Sequence, residues 1–407
     1  MSGPRPFRVQ IEEEQIALLR ARLSKVRWPD EVNDENWSYG MRADYLRKLF
    51  FYWRDQFDWR AAEDSINDFD QFLVEIDRLD LHFIHQRSPH EDAMPLILTH
   101  GWPGSIVEFL GVIPRLTNPE QFGGKAEDAF HIVCPSLPGY AYSSASSAPG
   151  MHPGAIAARH AKLMGMLGYE KYVAQGGDWG SRITRDLAQQ DPEHCCAIHL
   201  NLLPAVPPAA LEDPMTVLSE RDRTWLKGNE LYERSGKGYM HIQNTRPQTL
   251  AYALHDSPVG LCAWIAEKFH FWTDCERDGQ RDVRNAVSWD QLLANVSLYW
   301  FTGTIASSMR LYREFTEALA RREVEALPNI STPTGIAMYP GEIVKCPRAW
   351  AEHSCKLIHW FEADRGGHFA AMEQPQVFSE DLWCFHREIR DRFDTHRLAR
   401  GNVATGR

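Results

Sequence analysis

The chain has 407 residues, of which 43% are hydrophobic and 24% charged, a balance typical of a soluble globular protein with a large core. Its formal net charge is -11 and it has no run of lysine or arginine, which argues against a nucleic-acid partner. The first residues, MSGPRPFRVQ, lack a basic stretch followed by an apolar one, and no apolar run is long enough to span a bilayer, so we expect no stable membrane anchor.

Residues 1–70 are predicted to form a helical arm that wraps another part of the protein. Apolar residues recur at helical spacing in two stretches, and Trp28-Pro29 ends the first of them. No alternation typical of a strand is visible in this segment. The helically spaced positions are Ile16, Leu19, Leu23 and Val26 in the first stretch, and Tyr45, Leu46, Leu49, Phe50 and Trp53 in the second.

Residues 71–205 are predicted to form the first part of an α/β core. The stretches FLVEI and LHFIH alternate as two strands would, with a turn near Asp77-Arg78. A helix is predicted from Pro153 to Gly168, with proline at its first position and glycine at its C-terminal cap. Because further short apolar runs alternate with helical stretches, we expect a mostly parallel sheet with helices on both faces. Those runs are LILTHG (96–101), FHIVCPSLPG (130–139), YVAQGG (172–177) and AIHLNLL (197–203).

Residues 206–328 interrupt this alternation. They are helical or irregular in pattern and rich in Trp, Tyr and His, which indicates a mainly helical lid inserted into the core. Strand character resumes in TPTGIAMYPG (332–341) and KLIHWFEADRGGHF (356–369). Residues 329–407 are therefore predicted to form the second part of the core.

The segment Gly176-Gly177-Asp178-Trp179-Gly180 follows a predicted strand and precedes a predicted helix. Gly-x-nucleophile-x-Gly at such a turn is the nucleophile elbow of the α/β-hydrolase fold. Here a carboxylate holds the central position. Attack on a saturated carbon gives an ester that water can hydrolyse, so an epoxide or an alkyl halide is the expected substrate. A glycine-rich loop with Asp178 as a helix N-cap is the structural alternative.

The segment His100-Gly101-Trp102-Pro103-Gly104 follows the strand that ends at Thr99. In this fold, the loop at that place gives one backbone N–H to the oxyanion hole, and the residue after the nucleophile gives the other. Trp102 and Trp179 are therefore predicted to supply these N–H groups. An ordinary turn with His100 hydrogen-bonded locally is the alternative, and one sequence leaves open whether Pro103 is cis.

The general base and its partner acid should follow the nucleophile in the order acid, then histidine. Among 17 histidines, His368 stands just past the last predicted strand, after two glycines, and is the predicted base. His359 and His353 are expected to be structural or exposed. Glu342, which follows the strand at 334–338, is predicted to fix the tautomer of His368. Asp364 is the competing candidate for this role, but it lies too close in sequence to His368 to reach the Nδ1 of that residue easily.

Opening an epoxide requires a proton or strong hydrogen bonds on the leaving oxygen. A neutral phenol, with a pKa near ~10, can supply them at neutral pH. Spacing alone selects none of the lid tyrosines, each of which could equally be a packed aromatic: Tyr232, Tyr239, Tyr252, Tyr299 and Tyr312.

These motifs together resemble the microsomal epoxide hydrolase family, including its soluble microbial members. The resemblance extends over nearly the whole chain, and several of the matching stretches are long and specific. They are PFRVQIEEEQIALLRARL, YWRDQFDWR, EIDRLDLHFIHQRSP, LTHGWPGS, PSLPGYAYS, QGGDWGS, KGYMHIQNTRPQTLAYALHDSPVGLCAWIAEKF, MYPGE and DRGGHFAAMEQP.

The resemblance implies that residues 1–70 pack on the core and lid, and it gives roles to individual residues. The family's nucleophile, acid and base motifs match Asp178, Glu342 and His368. Its two ring-opening tyrosines fall on Tyr239, in GKGYMHIQ, and on Tyr312, in SMRLYREF; Tyr299 is the alternative for the second. We expect the chain to depart from mammalian and insect relatives in lacking their N-terminal membrane anchor.

The predicted function is conversion of an apolar aryl or alkyl epoxide to a vicinal diol, with water as the second substrate and no cofactor or metal. The 8 cysteines form no CxxC or Cys/His cluster, so reduced thiols and a cytoplasmic location are expected. The oligomeric state stays open, a homodimer included.

One alternative function is that of a haloalkane dehalogenase, which needs indole or amide N–H donors for the halide rather than paired phenols. The other alternative is a binding protein with the hydrolase fold that has lost catalysis. It predicts that some catalytic residues are missing, whereas all of them are present in this sequence.

Overall fold

A computed structural model describes residues 3–34, 37–326 and 330–401, and for residues 391–401 it describes the helix backbone alone. Nine strands form one sheet in the order β1-β2-β3-β5-β4-β6-β7-β10-β11, and β8 pairs with β9 separately. The strands are β1 (Arg5–Phe7), β2 (Gln71–Ile76), β3 (Leu79–Gln86), β4 (Met94–Thr99), β5 (Phe130–Pro135), β6 (Tyr172–Gly176), β7 (Cys195–Leu200), β8 (Glu276–Arg277), β9 (Gln280–Arg281), β10 (Ile330–Met338) and β11 (Cys355–Glu362).

The large sheet is parallel from β5 to β11 and antiparallel from β1 to β5. Asp77 and Arg78 join β2 to β3 with positive φ angles of 52° and 66°, as a two-residue hairpin turn requires. In the parallel part, Thr99 of β4 pairs with Gly176 of β6, and Gly176 pairs with Leu200 of β7. The carboxyl ends of these three strands therefore meet at one edge of the sheet, where the candidate site lies.

Helices cover this sheet. Helices α5 and α6 pack on each other and on the sheet, while α15 packs on α4, β7 and β11. The helices are α1 (Glu13–Leu23), α2 (Ala43–Asp55), α3 (Trp59–Asn67), α4 (Ile113–Thr117), α5 (Pro153–Met166), α6 (Asp178–Gln190), α7 (Glu220–Ser235), α8 (Gly238–Thr245), α9 (Pro247–Asp256), α10 (Pro258–Trp272), α11 (Trp289–Thr302), α12 (Ile305–Ala320), α13 (Arg348–Ser354), α14 (Ala370–Glu373) and α15 (Pro375–Gly401).

The N-terminal segment contains a strand that its sequence pattern did not predict. Residues Arg5–Phe7 form β1, which lies antiparallel to β2 at the sheet edge, with Phe7 opposite Gln71. Three residues are too few to show a period of two, so alternation could not reveal this strand. Helices α1 and α2 bury the apolar positions that the helical spacing singled out, among them Leu19 and Trp53.

Helices α7 to α12 lie between β7 and β10 in the chain, with the short β8–β9 pair among them, and we call this segment the lid. The N-terminal segment holds this lid through polar and aromatic contacts. The indole N–H of Trp53 donates to Ser297 Oγ at 2.9 Å, and the Tyr52 hydroxyl donates to Asp290 Oδ1 at 2.9 Å. The Trp59 ring packs on the Phe301 ring with 4.8 Å between centroids. Helix α11 is thus fixed between the N-terminal helices and the core.

Candidate active site

Asp178 stands at a sharp bend between β6 and α6, with a φ of 48° that side-chain-bearing residues rarely adopt. The bend brings backbone segments very close together. A Cβ added to Gly176 would lie 2.2 Å from the Gly180 carbonyl oxygen, and one added to Gly180 would lie 1.9 Å from the Thr99 carbonyl oxygen. Only glycine fits at both positions, which explains the spacing Gly-x-Asp-x-Gly and leaves the Asp178 carboxylate projecting from the end of the sheet.

The loop after β4 reaches this carboxylate. The Trp102 backbone N–H donates to Asp178 Oδ1 at 2.7 Å, and the Trp102–Pro103 peptide bond is cis. Trp179 lies in the first turn of α6, and its ring packs edge-on against Tyr312 at 4.8 Å. The His100 Nδ1 lies 3.0 Å from the Gly101 carbonyl oxygen, so this histidine does bond locally. One carboxylate oxygen is therefore held by a backbone donor before any substrate arrives.

His368 lies between two carboxylates. Its Nδ1 is 2.8 Å from Glu342 Oε1, and its Nε2 is 3.3 Å from Asp178 Oδ2, in contact but outside hydrogen-bond geometry. The His368 backbone N–H donates to the Trp272 carbonyl oxygen at 2.8 Å, which ties the loop to the end of α10. Burial alone would lower the pKa of His368, but the negative charges of Glu342 and Asp178, together with the hydrogen bond to Glu342, outweigh it and hold that pKa well above its ordinary value.

The competing residues lie elsewhere. Asp364 is exposed, and His353 is exposed with its Nδ1 2.8 Å from the Ala349 carbonyl oxygen. His359 is buried between Asp381 and Glu388 of α15 and is hydrogen-bonded to both. The structure thus brings together Asp178, His368 and Glu342 at the ends of β6, β11 and β10.

Two lid phenols face Asp178. Tyr239 of α8 and Tyr312 of α12 are buried, with 5.9 Å between their ring centroids, and both line the cavity that contains Asp178. The Tyr239 ring also stacks on the Trp102 ring at 5.2 Å. Burial, reinforced by the negative charge of Asp178, raises the pKa of both phenols well above 10, so both are neutral proton donors at neutral pH.

Tyr299, the other candidate for the second phenol, has a different position. Its hydroxyl donates to the Gly104 carbonyl oxygen at 2.8 Å. On the same helix, Asn295 donates to the Pro103 carbonyl oxygen at 2.8 Å and accepts from the Ser105 hydroxyl at 2.7 Å. Helix α11 therefore holds the loop that carries the Trp102 N–H in place. The Tyr299 hydroxyl donates its hydrogen bond to this loop.

Two further lid residues lie beside Tyr239, and spacing could not select either of them. The Tyr232 hydroxyl lies 3.2 Å from the Tyr239 hydroxyl. The ammonium of Lys268, a buried residue of α10, lies 4.4 Å from the centroid of the Tyr239 ring. The positions of these two residues relative to Tyr239 depend on how α7, α8 and α10 pack against one another. The spacing of apolar residues within a single helix does not specify that packing.

The cavity between core and lid has a volume of about 300 Å³. Its lining is mainly aromatic and apolar, and its charged members are Asp178, Arg182, Arg185 and Lys237. The aromatic and apolar lining residues include Trp179, Leu202, Pro204, Tyr232, Tyr239, Met240, Tyr312, Phe315, Ile343 and Val344. A space of this size and character suits a small apolar molecule.

Fold and site together define an α/β-hydrolase whose nucleophile position is occupied by a carboxylate. Two family models match the chain: "Epoxide hydrolase N terminus" over residues 4–109 and "alpha/beta hydrolase fold" over residues 94–232. Epoxide hydrolase 1 of Sus scrofa is 39% identical over 405 residues, which cover 94% of this chain and 88% of that protein.

Two solved structures show the same architecture. The epoxide hydrolase of Aspergillus niger superposes with a TM-score of 0.84 at 31% identity, covering 95% of this chain and 97% of that one. The juvenile hormone epoxide hydrolase of the silkworm Bombyx mori superposes with a TM-score of 0.87 at 30% identity, covering 96% of each chain. The chain belongs to the epoxide hydrolase family. Among the described residues, no helix combines the length and apolar character needed to cross a membrane.

Proposed function

We propose that the enzyme opens its epoxide through a covalent ester on Asp178. The observation that carries this proposal is the environment of one carboxylate. Its Oδ1 is held by the Trp102 N–H, its Oδ2 lies 3.3 Å from His368 Nε2, and two neutral phenols line the same cavity. This arrangement offers a nucleophile on one side of a bound epoxide and proton donors on the other.

In the first step, Asp178 Oδ2 attacks a ring carbon and the carbon–oxygen bond of the epoxide breaks. The epoxide oxygen takes a proton from Tyr239 or Tyr312 and becomes a hydroxyl, leaving a phenolate. The other phenol donates a hydrogen bond to the same oxygen. Because neither phenol is ionised in the resting enzyme, both are available for this purpose at neutral pH.

In the second step, water attacks the ester carbon of Asp178 while His368 Nε2 takes one of its protons. The ester oxygen leaves as the second hydroxyl of the diol and receives that proton from His368. The remaining carboxyl proton returns to the phenolate, which restores the enzyme. Esterification removes the negative charge of Asp178, one cause of the raised pKa of His368, and so makes His368 a free base when it is needed. Glu342 stabilises the imidazolium that forms.

We propose an apolar aryl or alkyl epoxide as the substrate. The mainly aromatic and apolar lining of the 300 Å³ cavity supports this class, because such walls bind flat or branched hydrocarbon groups.

A single turnover in heavy-oxygen water tests the ester. With enzyme in excess, styrene oxide as the epoxide, and the products analysed by mass spectrometry, the first diol should carry only ordinary oxygen, because its new oxygen comes from Asp178. The label should enter the Asp178 carboxylate instead. With substrate in excess, later diols should carry the label. Asp178→Asn, which keeps the shape of the side chain, is the control and should form neither ester nor diol. Heavy oxygen in the first diol would mean that water attacks the epoxide directly, contrary to the proposal.

The cytoplasmic location remains a prediction from the sequence, and the oligomeric state stays open, a homodimer included. The eight thiols are all unpaired in the structure, as a reducing compartment would leave them.

A further inference from the structure

A second, much smaller cavity lies against Asp178, lined by a different set of residues from the aromatic one. Its volume is about 10 Å³, roughly what one water molecule needs. Apart from Asp178, it shares no lining residue with the aromatic cavity. Its walls are backbone of the loop after β4 and apolar side chains such as Phe369 and Phe378. The ionisable groups that line it are Asp178, His368 and Glu108.

His368 presents an unused atom in this region. Its side chain is 2% exposed, and its Nε2 has no hydrogen-bond partner among the described residues. The Nδ1 is bonded to Glu342, which leaves Nε2 as the basic atom. A water in the small cavity would therefore have a base at one side and the carboxyl carbon of Asp178 at another.

Glu108 supplies the third side. It lies in a single 3-10 turn, Ile106–Phe109, that follows the loop carrying the Trp102 N–H. Its side chain folds back over that loop so closely that a Cβ on Gly104 would lie 1.5 Å from Glu108 Oε1. The Ser105 backbone N–H bonds to its carboxyl, which is the usual role of a Glu three residues after a capping serine. A glutamine would serve as a cap equally well, so capping alone does not require a carboxyl here.

Glu108 also borders an outer cavity of about 450 Å³, formed between the N-terminal helices, α11 and α14. The outer cavity includes Phe57, Ala62, Ala294 and Met372 in its lining, and it has no lining residue in common with the aromatic cavity. Glu108 is thus placed where water could pass from the outer cavity to the small one without crossing the bound substrate.

We propose that Glu108 is a positioning residue that binds the hydrolytic water in the small cavity and orients it between His368 Nε2 and the Asp178 ester carbon. This inference rests on the ester mechanism proposed above. The Glu108 carboxyl accepts one hydrogen of the water and His368 accepts the other, so a lone pair of the water oxygen faces the ester carbon. The proton still goes to His368, and Glu108 exchanges no covalent bond.

The electrostatics of the site fit this role. Burial raises the pKa of Glu108 to about 8; the charge of His368 opposes this rise and the charge of Asp178 adds to it. Either form of the carboxyl offers an oxygen that can accept a hydrogen bond from water. Esterification removes the negative charge of Asp178 and lets His368 lose its positive charge, so these two opposing influences on the pKa of Glu108 disappear together, and the carboxyl can hold the water in either form.

The test separates the two chemical steps in Glu108→Gln and Glu108→Leu, with styrene oxide as the substrate. Glutamine keeps the cap and a weaker acceptor, whereas leucine removes the acceptor. Rapid mixing should show ester formation within about 2-fold of wild type in both variants, and ester hydrolysis about 10-fold slower with Gln and about 100-fold slower with Leu. The ester on Asp178 should then accumulate in mass spectra. In steady state, kcat and KM should fall together while kcat/KM stays nearly constant, as happens when only the later step slows.

Glu373→Gln is the matched control. Glu373 is buried and, like Glu108, has a pKa raised to about 8. Its oxygens accept from the Asp274 and Phe369 backbone N–H groups, and it does not line the small cavity. The Glu373→Gln substitution should lower the thermal stability without changing the ratio of the rates of ester formation and ester hydrolysis. Three results would overturn the proposal for Glu108. The first is ester hydrolysis at the wild-type rate in both Glu108 variants, and the second is an equal slowing of ester formation and ester hydrolysis. The third is a change in the ratio of these two rates in Glu373→Gln as large as in the Glu108 variants. Absence of an Asp178 ester in the wild-type enzyme would instead overturn the mechanism on which it rests.

Discussion

Two buried clusters of histidine and carboxylate lie in this protein, and they are used differently. In the site, His368 bonds to Glu342 through Nδ1 and leaves Nε2 without a hydrogen bond beside Asp178. In the other, which we name the anchor cluster, α15 is tied to β7 and β11. There His359 bonds to Asp381 at 2.7 Å and to Glu388 at 2.7 Å, and His199 bonds to Asp381 at 2.9 Å. The anchor cluster comprises His199, His359, Asp381 and Glu388.

The difference shows that a buried histidine–acid pair does not by itself indicate catalysis. Both ring nitrogens of His359 are used in hydrogen bonds. The potential metal-ligand atoms of His199, His359 and Asp381 lie close enough together to hold a metal ion, but they hydrogen-bond to one another through the Asp381 carboxylate. His368 instead keeps one nitrogen open beside a carboxylate on a strained turn and a cavity of molecular size. Saturated hydrogen bonding fits a structural role, and an open atom facing a cavity fits a chemical one.

Exchanging histidine for glutamine in each cluster tests this distinction, and it has the largest expected effect. We expect His368→Gln to lower turnover of styrene oxide by about 10³-fold, because the general base of the second step is lost. Ester formation should continue, so the adduct on Asp178 should accumulate in mass spectra. His359→Gln should keep turnover within about 2-fold and lower the free energy of unfolding by about 1–3 kcal/mol, because the buried carboxylate of Asp381 loses a hydrogen-bond partner. Turnover and denaturant unfolding of both variants give the answer; a comparable loss of turnover in His359→Gln would contradict the structural role of the anchor cluster.

Much of this distinction was accessible from the sequence, but only for residues at the ends of strands. Asp178, Glu342 and His368 each follow an apolar run, and the carboxyl ends of parallel strands meet at one edge, so their proximity could be inferred. The α/β-hydrolase fold and the epoxide hydrolase family, both predicted, are confirmed. The bounds of the arm and lid remain predictions.

The positions of side chains on the lid and in the oxyanion loop could not be inferred in the same way. Spacing did not distinguish Tyr312 from Tyr299, because the rotation of a helix about its axis depends on what it packs against; the family resemblance supplied Tyr312. Glu108 stands three residues after Ser105, a pattern that normally indicates a helix cap, so nothing in it pointed to a cavity. The strand at Arg5–Phe7 was missed because its pairing with β2 is a tertiary contact.

The two tyrosines extend the same comparison to hydroxyl groups, with a smaller expected effect. The Tyr312 hydroxyl has no hydrogen-bond partner among the described residues, whereas the Tyr299 hydroxyl donates to the Gly104 carbonyl oxygen. We expect Tyr312→Phe to slow ester formation about 100-fold, because the leaving oxygen loses a proton donor or a hydrogen bond. Tyr299→Phe should slow it less than about 5-fold and lower the free energy of unfolding by about 1 kcal/mol, because one buried hydrogen bond is lost. Rapid mixing with styrene oxide measures both rates, and the opposite order would identify Tyr299 as the proton donor.

The smallest expected effect concerns pH and the stability of the anchor cluster. Burial alone would lower the pKa of His359, but Asp381 and Glu388 outweigh it and raise that pKa above its value in the unfolded chain. A raised pKa means that the folded state binds the proton more tightly, so this stabilisation is complete below about pH 6.5 and is lost as pH rises through the pKa of the folded protein. Burial opposes but does not cancel the lowering of the Asp381 pKa by His199 and His359, so the contribution of Asp381 is present above about pH 4 and is lost in acid.

His368 also has a raised pKa and would add a pH dependence of the same sign, so the measurement belongs in a His368→Gln background. Denaturant unfolding between pH 6 and pH 9 should then show stability falling with pH, in part through Glu108 and Glu373, whose pKa values of about 8 lie in the same range. The fall should be shallower when Asp381→Asn is added, and the difference between the two slopes is the contribution of His359. Asp381→Asn removes the charge that raises the pKa of His359 while keeping a group that can hydrogen bond. Identical slopes with and without Asp381 would show that His359 is neutral in the folded protein, and the anchor cluster would then hold α15 by neutral hydrogen bonds alone.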